Sequence, residues 1–332
     1  MARALITGGT GFLGRHLIDH LLADGRSAGD LRVLCRRGDD ALTSRGIDVV
    51  KGSVTELEDF VGAAEGCELV YHLAGLVDRS PDALGNLMKV HVEGARNAVR
   101  ATATTGATRL LLASTSGTIG VSTDGEHVAT EEDEVPLELI RDWPYYLSKH
   151  YAEQTALETA AAEGVDVVIV NPTLLLGPGD DRLSSTGDVL RFLRKQIPSI
   201  PSGGISFLDA RDAAAATAAA AKDGRPGERY LLTAANWTLE KFLRRMESIS
   251  GVAGPALKLG DRTSKVAGRL LQWGYEALGR EAPVDRISIE MSQHFWYVDA
   301  SKARSELGFS PRDPDETLSD TVADLRARYG LS

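Results

Sequence analysis

The stretch Leu5-Ile6-Thr7-Gly8-Gly9-Thr10-Gly11-Phe12-Leu13-Gly14 decides the fold. An apolar run, Ala4-Leu5-Ile6, leads into it. A helical pattern leads out of it, Phe12–Leu22, with Leu13, Leu17, Leu21 and Leu22 on one side. Glycines alone are weak evidence, because they serve ordinary turns. Between a strand and a helix they predict something specific. Gly8 permits a tight turn, Gly11 lets the backbone approach a pyrophosphate, and Gly14 lets helix and strand pack closely. The helix N-terminus then offers unpaired N–H groups and a positive dipole end to phosphates. Thr10, Phe12 and Leu13 lie in the same turn and belong to the candidate cofactor-binding set.

Working outward, short aliphatic runs alternate with helical patterns. Arg3–Thr7, Leu31–Cys35, Asp48–Lys51, Leu69–Leu73, Arg109–Ser114 and Val165–Val170 read as strands. Several are apolar throughout, as in parallel strands buried on both faces. The alternation predicts an α/β fold, a Rossmann-type doubly wound parallel sheet. After Pro172 the character changes, and Gly177-Pro178-Gly179 makes a turn-rich exit. Helical segments follow around Gly187–Gln196, Ala213–Ala221 and Leu239–Ser250. We expect residues 1–172 to form a dinucleotide-binding domain. Residues 173–332 should form a smaller substrate-binding lobe, with some return of strand or helix to the first core.

The chain has 332 residues, 43% hydrophobic and 25% charged, the balance of an ordinary globular protein. A net charge of −10 disfavours nucleic acid and anionic membrane as partners. Cys35 and Cys67 lack metal-site spacing and make no disulfide framework, so no metal is expected. The N-terminus lacks the layout of a signal peptide, and no run of 18 apolar residues occurs, so a cytoplasmic protein is expected.

The end of the second strand bears on which dinucleotide binds. A carboxylate there favours NAD through the ribose 2′-hydroxyl; an arginine favours NADP through the 2′-phosphate. Here Val33-Leu34-Cys35-Arg36-Arg37-Gly38 has no acid until Asp39. NADP(H) is therefore favoured over NAD(H), with Arg36 as the first candidate and Arg37 next. In Pro144-Tyr145-Tyr146-Leu147-Ser148-Lys149 the phenol of Tyr145 and the ammonium of Lys149 stand four residues apart on one helical face. Tyr146 is rotated by about 100° and cannot share that alignment. A phenol is a poor acid/base near neutrality, and a nearby ammonium should lower its pKa. A hydroxyl at the end of the fifth strand would stabilise the substrate oxygen. Ser114, Thr115 and Ser116 all stand there, three adjacent candidates that the residues alone leave open.

These motifs resemble the extended branch of the short-chain dehydrogenase/reductase superfamily, the NAD-dependent epimerase/dehydratase family. TGGTGFLG is similar to its TGxxGxxG fingerprint, and PYYLSKHYAE to its PYxxSKxxAE stretch. The similarity extends to Phe207–Asp212 and to Tyr297–Lys302, so it covers nearly the whole chain. It implies Thr115, Tyr145 and Lys149 as catalytic residues; counting back from Ile119-Gly120 against some members selects Ser116 in place of Thr115, the preferred choice. Tyr145 and Lys149 would also contact the cofactor, with Lys149 bonding the nicotinamide ribose. It implies cofactor contacts at Ser53, Val54, Leu73, Ala74, Gly75 and Pro172. It also implies a homodimer through helices around Tyr145–Glu163 and Pro81–Thr105.

Three positions depart from the pattern. Ser53 stands where an aspartate usually reads the adenine amine. His91 replaces an asparagine that helps hold a backbone kink and a water in the proton path. Gly120 replaces the tyrosine of a VYG segment. With TSGTIG this looks more like the dihydroflavonol reductase and 3β-hydroxysteroid dehydrogenase branches than the sugar-nucleotide epimerases. The stripe Val266, Leu270, Trp273 and Ala277, flanked by Ala267, Leu271 and Leu278, is expected to be core first, a pocket roof second and a membrane rest third. The expected activity is reduction of a ketone or aldehyde on a small hydrophobic substrate, or the reverse oxidation. A sugar-nucleotide epimerase or dehydratase holding NAD, and a non-catalytic dinucleotide sensor, are the alternatives.

Overall fold

The computed structural model describes residues 3–258 and 286–331. The stripe from Val266 to Leu278 lies outside the described residues. The strands are β1 (Ala4–Thr7), β2 (Leu31–Cys35), β3 (Asp48–Lys51), β4 (Leu69–His72), β5 (Arg109–Ala113), β6 (Asp166–Pro172), β7 (Leu174–Leu176), β8 (Gly204–Asp209), β9 (Arg229–Leu232) and β10 (Ala235–Thr238). The helices are α1 (Phe12–Ala23), α2 (Asp40–Ser44), α3 (Leu57–Ala64), α4 (Leu84–Met88), α5 (Gly94–Thr105), α6 (Leu137–Ile140), α7 (Pro144–Glu163), α8 (Gly187–Leu193), α9 (Ala210–Asp223), α10 (Leu239–Ser250), α11 (Arg286–Met291), α12 (Ser301–Leu307) and α13 (Pro314–Tyr329).

Seven strands form one parallel sheet in the order β3-β2-β1-β4-β5-β6-β9. The order reverses between β1 and β4, which opens a crevice at the C-terminal ends of those strands. The strands are apolar throughout because each feeds two cores. In β5, Leu111 and Ala113 face α1 and α9, while Leu110 and Leu112 face α3, α5 and α7. In β6, Val168 and Val170 take the first side, Val167 and Ile169 the second.

All six strands expected from the sequence are present, with ends that differ by at most two residues. The four later ones were not located in the sequence. They interleave with turns, and β7, β8 and β10 pair in a separate small sheet, so no regular strand–helix alternation marks them. The alanine-rich segment is α9, and Ala213, Ala216 and Ala220 bury against Leu17 and Leu21 of α1. Small side chains let these two helices approach closely.

A second lobe forms where β10, β8 and β7 make a small mixed sheet against α8, α10 and α13, around Phe192, Phe207, Phe242 and Leu318. The segment at Phe207–Asp212 serves this junction. Asp209 is fully buried, caps α9 through the Arg211 N–H at 2.9 Å, and receives the Arg211 guanidinium at 2.8 and 2.7 Å. Arg312 grips Asp212 beside it. No helix among the described residues is long and apolar enough to cross a membrane.

Candidate active site

The sequence-derived site residues converge on the crevice. Gly8 to Gly14 form the β1–α1 turn; Arg36 and Arg37 follow β2; Ser53 and Val54 follow β3. Leu73, Ala74 and Gly75 follow β4, Thr115 follows β5, and buried Pro172 closes β6. Tyr145 and Lys149 reach the same place from the first turns of α7.

The glycine turn behaves as its spacing predicts. Gly8 has φ of +74°, and a Cβ there would lie 2.6 Å from the Leu73 carbonyl carbon. A Cβ on Gly14 would lie 2.7 Å from the Gly9 Cα and overlap the Gly8 carbonyl oxygen. Gly11 caps α1 with no side-chain hydrogen bond, which leaves the first N–H groups of the helix open to an anion. These features fit a dinucleotide pyrophosphate. Behind them, His16 Nε2 lies 2.9 Å from the Pro178 carbonyl oxygen and ties α1 to the 177–180 turn.

At the end expected to take the adenosine, the groups are open. Arg36 and Arg37 are exposed and have no partner among the described residues. Asp39 does not face them with its charge, since it caps α2 by accepting from the Leu42 N–H at 3.1 Å. Lys51 lies against Gly38, so a third cation adjoins the two arginines. At Ser53, where a carboxylate was expected and missing, Asp59 accepts from the Ser53 N–H at 2.8 Å. A carboxylate therefore sits beside this position after all, supplied by the first turn of α3. No local pattern signals it, because the contact crosses a turn.

The catalytic end is closed. Lys149 is buried, and Nζ donates to the Ala113 carbonyl oxygen at 2.9 Å. Burial pulls its pKa down to about 8, opposed by the Glu153 carboxylate. Tyr145 is half-buried, and its phenol is pushed up by burial and then by Tyr146 beside it; Arg79 acts in the opposite direction. The expectation that Lys149 lowers the phenol is thus not met in this arrangement. Its ammonium is spent on the backbone of β5, and the cation acting on the phenol is Arg79. Arg79 was missed in the sequence; its guanidinium donates to Ser288 Oγ of α11 at 2.9 Å.

The three neighbouring hydroxyls separate by environment. Ser114 is buried and donates to Glu153 Oε1. Ser116 is 5% exposed, whereas Thr115 is the most open of the three. Thr115 Oγ1 makes only a long 3.4 Å contact from the Gly117 N–H, which leaves it available.

His91 lies in a π-helical turn, Lys89–Glu93, between α4 and α5, so the kink survives the replacement of asparagine. The Leu76 N–H donates to Nε2 at 3.0 Å, and Nδ1 meets Ser148 Oγ at 2.8 Å. Ser148 in turn donates to the Tyr145 carbonyl oxygen at 2.8 Å. That assigns a neutral ring with its proton on Nδ1. Burial and Lys149 drive the His91 pKa down to about 2. His72 bonds Thr7 Oγ1 at 2.8 Å and is likewise driven down, to about 3, by burial. Neither ring is placed as a ligand, and no metal-holding cluster exists among the described residues.

Beside Tyr145 stands an aromatic wall. Tyr145 and Tyr146 meet edge to face at 5.1 Å, Tyr146 lies 5.0 Å from Trp296, and Trp296 stacks on Trp143 at 5.5 Å. Gly117 is what admits Tyr146, since a Cβ there would overlap its ring. At Gly120, Val298 fills the space where a side chain would start. The larger residue of other branches has no room.

Comparisons with known proteins bear on the family and the fold. A family model described as the NAD dependent epimerase/dehydratase family matches residues 4–232. A protein of Synechocystis sp. named "Putative dihydroflavonol 4-reductase" is 34% identical over 328 residues, covering 96% of this chain and 92% of that one. "Sterol demethylase protein B" of Methylococcus capsulatus is 30% identical, covering 98% of both. In fold, the chain is similar to a dTDP-glucose 4,6-dehydratase from Streptomyces venezuelae solved with NAD bound, with a TM-score of 0.77 and 20% identity over 99% of this chain and 98% of that one.

Proposed function

The chain belongs to the NAD dependent epimerase/dehydratase family, and from that premise we propose that it is an NADP(H)-dependent reductase of a ketone or aldehyde on a small apolar substrate. It is an NAD(P)-dependent enzyme of the extended short-chain dehydrogenase/reductase type; the cofactor preference, the substrate class and the residue roles are our reading.

The observation that carries the reading is the juxtaposition of the Tyr145 phenol with the half-buried rings of Tyr146 and Trp296, which are backed by the buried Trp143. Aromatic faces offer an apolar substrate large contact area and little competition for its hydrogen bonds. Bound in the crevice, the reduced cofactor supplies a hydride for the carbonyl carbon. Tyr145 gives the phenolic proton to the carbonyl oxygen, and Thr115 donates a hydrogen bond to that oxygen as charge builds on it. Lys149, anchored on the Ala113 carbonyl, holds a cation beneath the site and orients the ribose. Bringing Lys149 within reach of the phenol requires its ammonium to turn from that carbonyl.

The preference for NADP(H) is supported by the unpartnered Arg36 and Arg37, with Lys51 adjoining, and by the commitment of Asp39 to a helix cap. A phosphate dianion is met by exposed, solvated cations, whereas a ribose diol finds no free carboxylate at the end of β2. The test is NADPH oxidation, followed by absorbance, with a panel of aromatic and alicyclic carbonyls. Turnover with kcat/KM higher for NADPH than for NADH is expected. Co-purified NAD with no net NADPH consumption would reject the reading in favour of a sugar-nucleotide epimerase or dehydratase. Tight NADPH binding without turnover of any carbonyl would favour a dinucleotide sensor.

A further inference from the structure

Glu153 lies two helical turns beyond Tyr145 and one beyond Lys149, so α7 presents phenol, ammonium and carboxylate in a row. Its side chain is almost completely buried, at 1% exposure. Oε1 accepts three hydrogen bonds, from Ser114 Oγ, from Thr118 Oγ1 at 2.9 Å and from Asn171 Nδ2 at 2.8 Å. Oε2 has no hydrogen bond among the described residues and faces only Arg229 Nη2, at 3.5 Å. A buried carboxylate is costly unless charge and hydrogen bonds compensate it.

The donors are informative. Ser114 and Thr118 bracket Thr115 in the chain. Asn171 also donates to the Thr115 carbonyl oxygen at 3.0 Å. One carboxylate therefore joins the loop after β5, the last residues of β6 and α7. From the other side Arg229 brings in β9.

We propose that Glu153 is a positioning residue of this site: it clamps the Ser114–Thr118 loop in register with α7 and supplies the negative charge that faces the Lys149 ammonium. The assignment rests on Lys149 belonging to the reacting site, but its test needs no substrate. The other titratable groups around Lys149 are His72 on β4, His91 in the π-turn and Tyr145 on α7. His150 and Arg229 lie nearer Glu153. Both histidines are neutral over the working range, so Glu153 is the anion opposing the burial of Lys149. A mere clamp would be indifferent to charge; a neutral acceptor of the same shape would serve it equally.

The experiment titrates the full chain labelled with [ε-¹³C]lysine and followed by NMR, the Lys149 signal being assigned by its loss in Lys149→Arg. The wild-type midpoint is expected near the value of about 8 set by burial. In Glu153→Gln it should fall by about one pH unit or more, with the other lysines unmoved. An unchanged midpoint in a cooperatively folded Glu153→Gln protein overturns the proposal. Arg229→Gln provides a second variant, at a less buried position. Removing that cation leaves the Glu153 charge in place, so the Lys149 midpoint should stay or rise, and a fall overturns the charge role. With a carbonyl that the wild type reduces, Glu153→Gln should lose roughly tenfold in kcat, and the alkaline limb of its pH profile should move down by the same interval. If no carbonyl is reduced, the reductase reading fails while the NMR result still decides the role of Glu153.

Discussion

The two ends of the crevice are built on opposite principles. At the adenosine end, Arg36, Arg37, Lys51 and Asp59 are exposed, and the two arginines have no partners among the described residues. At the catalytic end, Lys149, His91, Ser148 and Glu153 are each 8% exposed or less, and each is hydrogen-bonded. A multiply charged phosphate can be recognised by solvated cations, which adjust to it at small cost in stability. Proton and hydride transfer require groups fixed in advance in a water-poor setting, where a misplaced dipole is expensive. Substitutions at the open end should therefore change affinity and leave the fold intact. Substitutions at the closed end should disturb chemistry and stability together.

Tyr145→Phe tests the closed end at its centre. The phenylalanine keeps the ring against Tyr146 and His91 and removes only the proton donor. A loss of about a thousandfold in kcat/KM is expected, with NADPH binding, read by fluorescence, within a few-fold of wild type. Retained turnover would remove Tyr145 from the chemistry. Gly14→Ala comes next and tests the hinge between the two ends. Its Cβ would press on the Gly8–Gly9 backbone, which no rotamer can relieve. A destabilisation of about 3 kcal/mol is expected in urea unfolding, with loss of dinucleotide binding. An alanine variant as stable as wild type would mean that the turn is looser than its contacts imply.

What was legible in the sequence divides along the same line. The glycine spacing, the six apolar strands and the Tyr145–Lys149 pair are local patterns, and each appears where the chain predicted it. That Thr115 is the open hydroxyl depended on two long-range facts: Glu153 claims Ser114 in a contact that crosses from the end of β5 to α7, and Ser116 is buried. Asp59 beside Ser53, Arg79 bonded to Ser288, and the short strands of the second lobe all rest on such pairings. Glu153 is an exception. The i, i+4 argument that linked Tyr145 to Lys149 continues one turn further and reaches it, but a carboxylate there reads as an ordinary helical surface residue until its burial is known.

At the open end, Arg36→Ala with Arg37→Ala should lower kcat/KM for NADPH by about 10–100-fold, since each guanidinium–phosphate contact contributes ~1.5–3 kcal/mol and solvent screening reduces the sum. The rate with NADH should stay within about twofold, and the unfolding midpoint should not move. Equal losses with both cofactors would mean that these arginines do not read the 2′-phosphate. A loss of stability would break the contrast between the two ends.

The smallest effect concerns His91 and follows from its burial. The unfolded chain protonates a histidine below about pH 6.5, whereas His91 and His72 in the folded protein resist protonation down to about 2 and 3. Their contribution to stability is therefore fully present above 6.5. It drains away as pH falls toward 3, at up to ~1.4 kcal/mol per pH unit for each ring. His91→Asn removes one of the two titrations and keeps a side chain able to accept from the Leu76 N–H, so the π-turn should persist. Between pH 6 and pH 5 the drop in urea-unfolding free energy should be smaller than in wild type by ~1 kcal/mol. Paired unfolding curves at the two pH values measure it directly. An identical drop in both proteins would mean that water reaches His91 and lets it protonate, and the catalytic end would then be as open to solvent as the adenosine end.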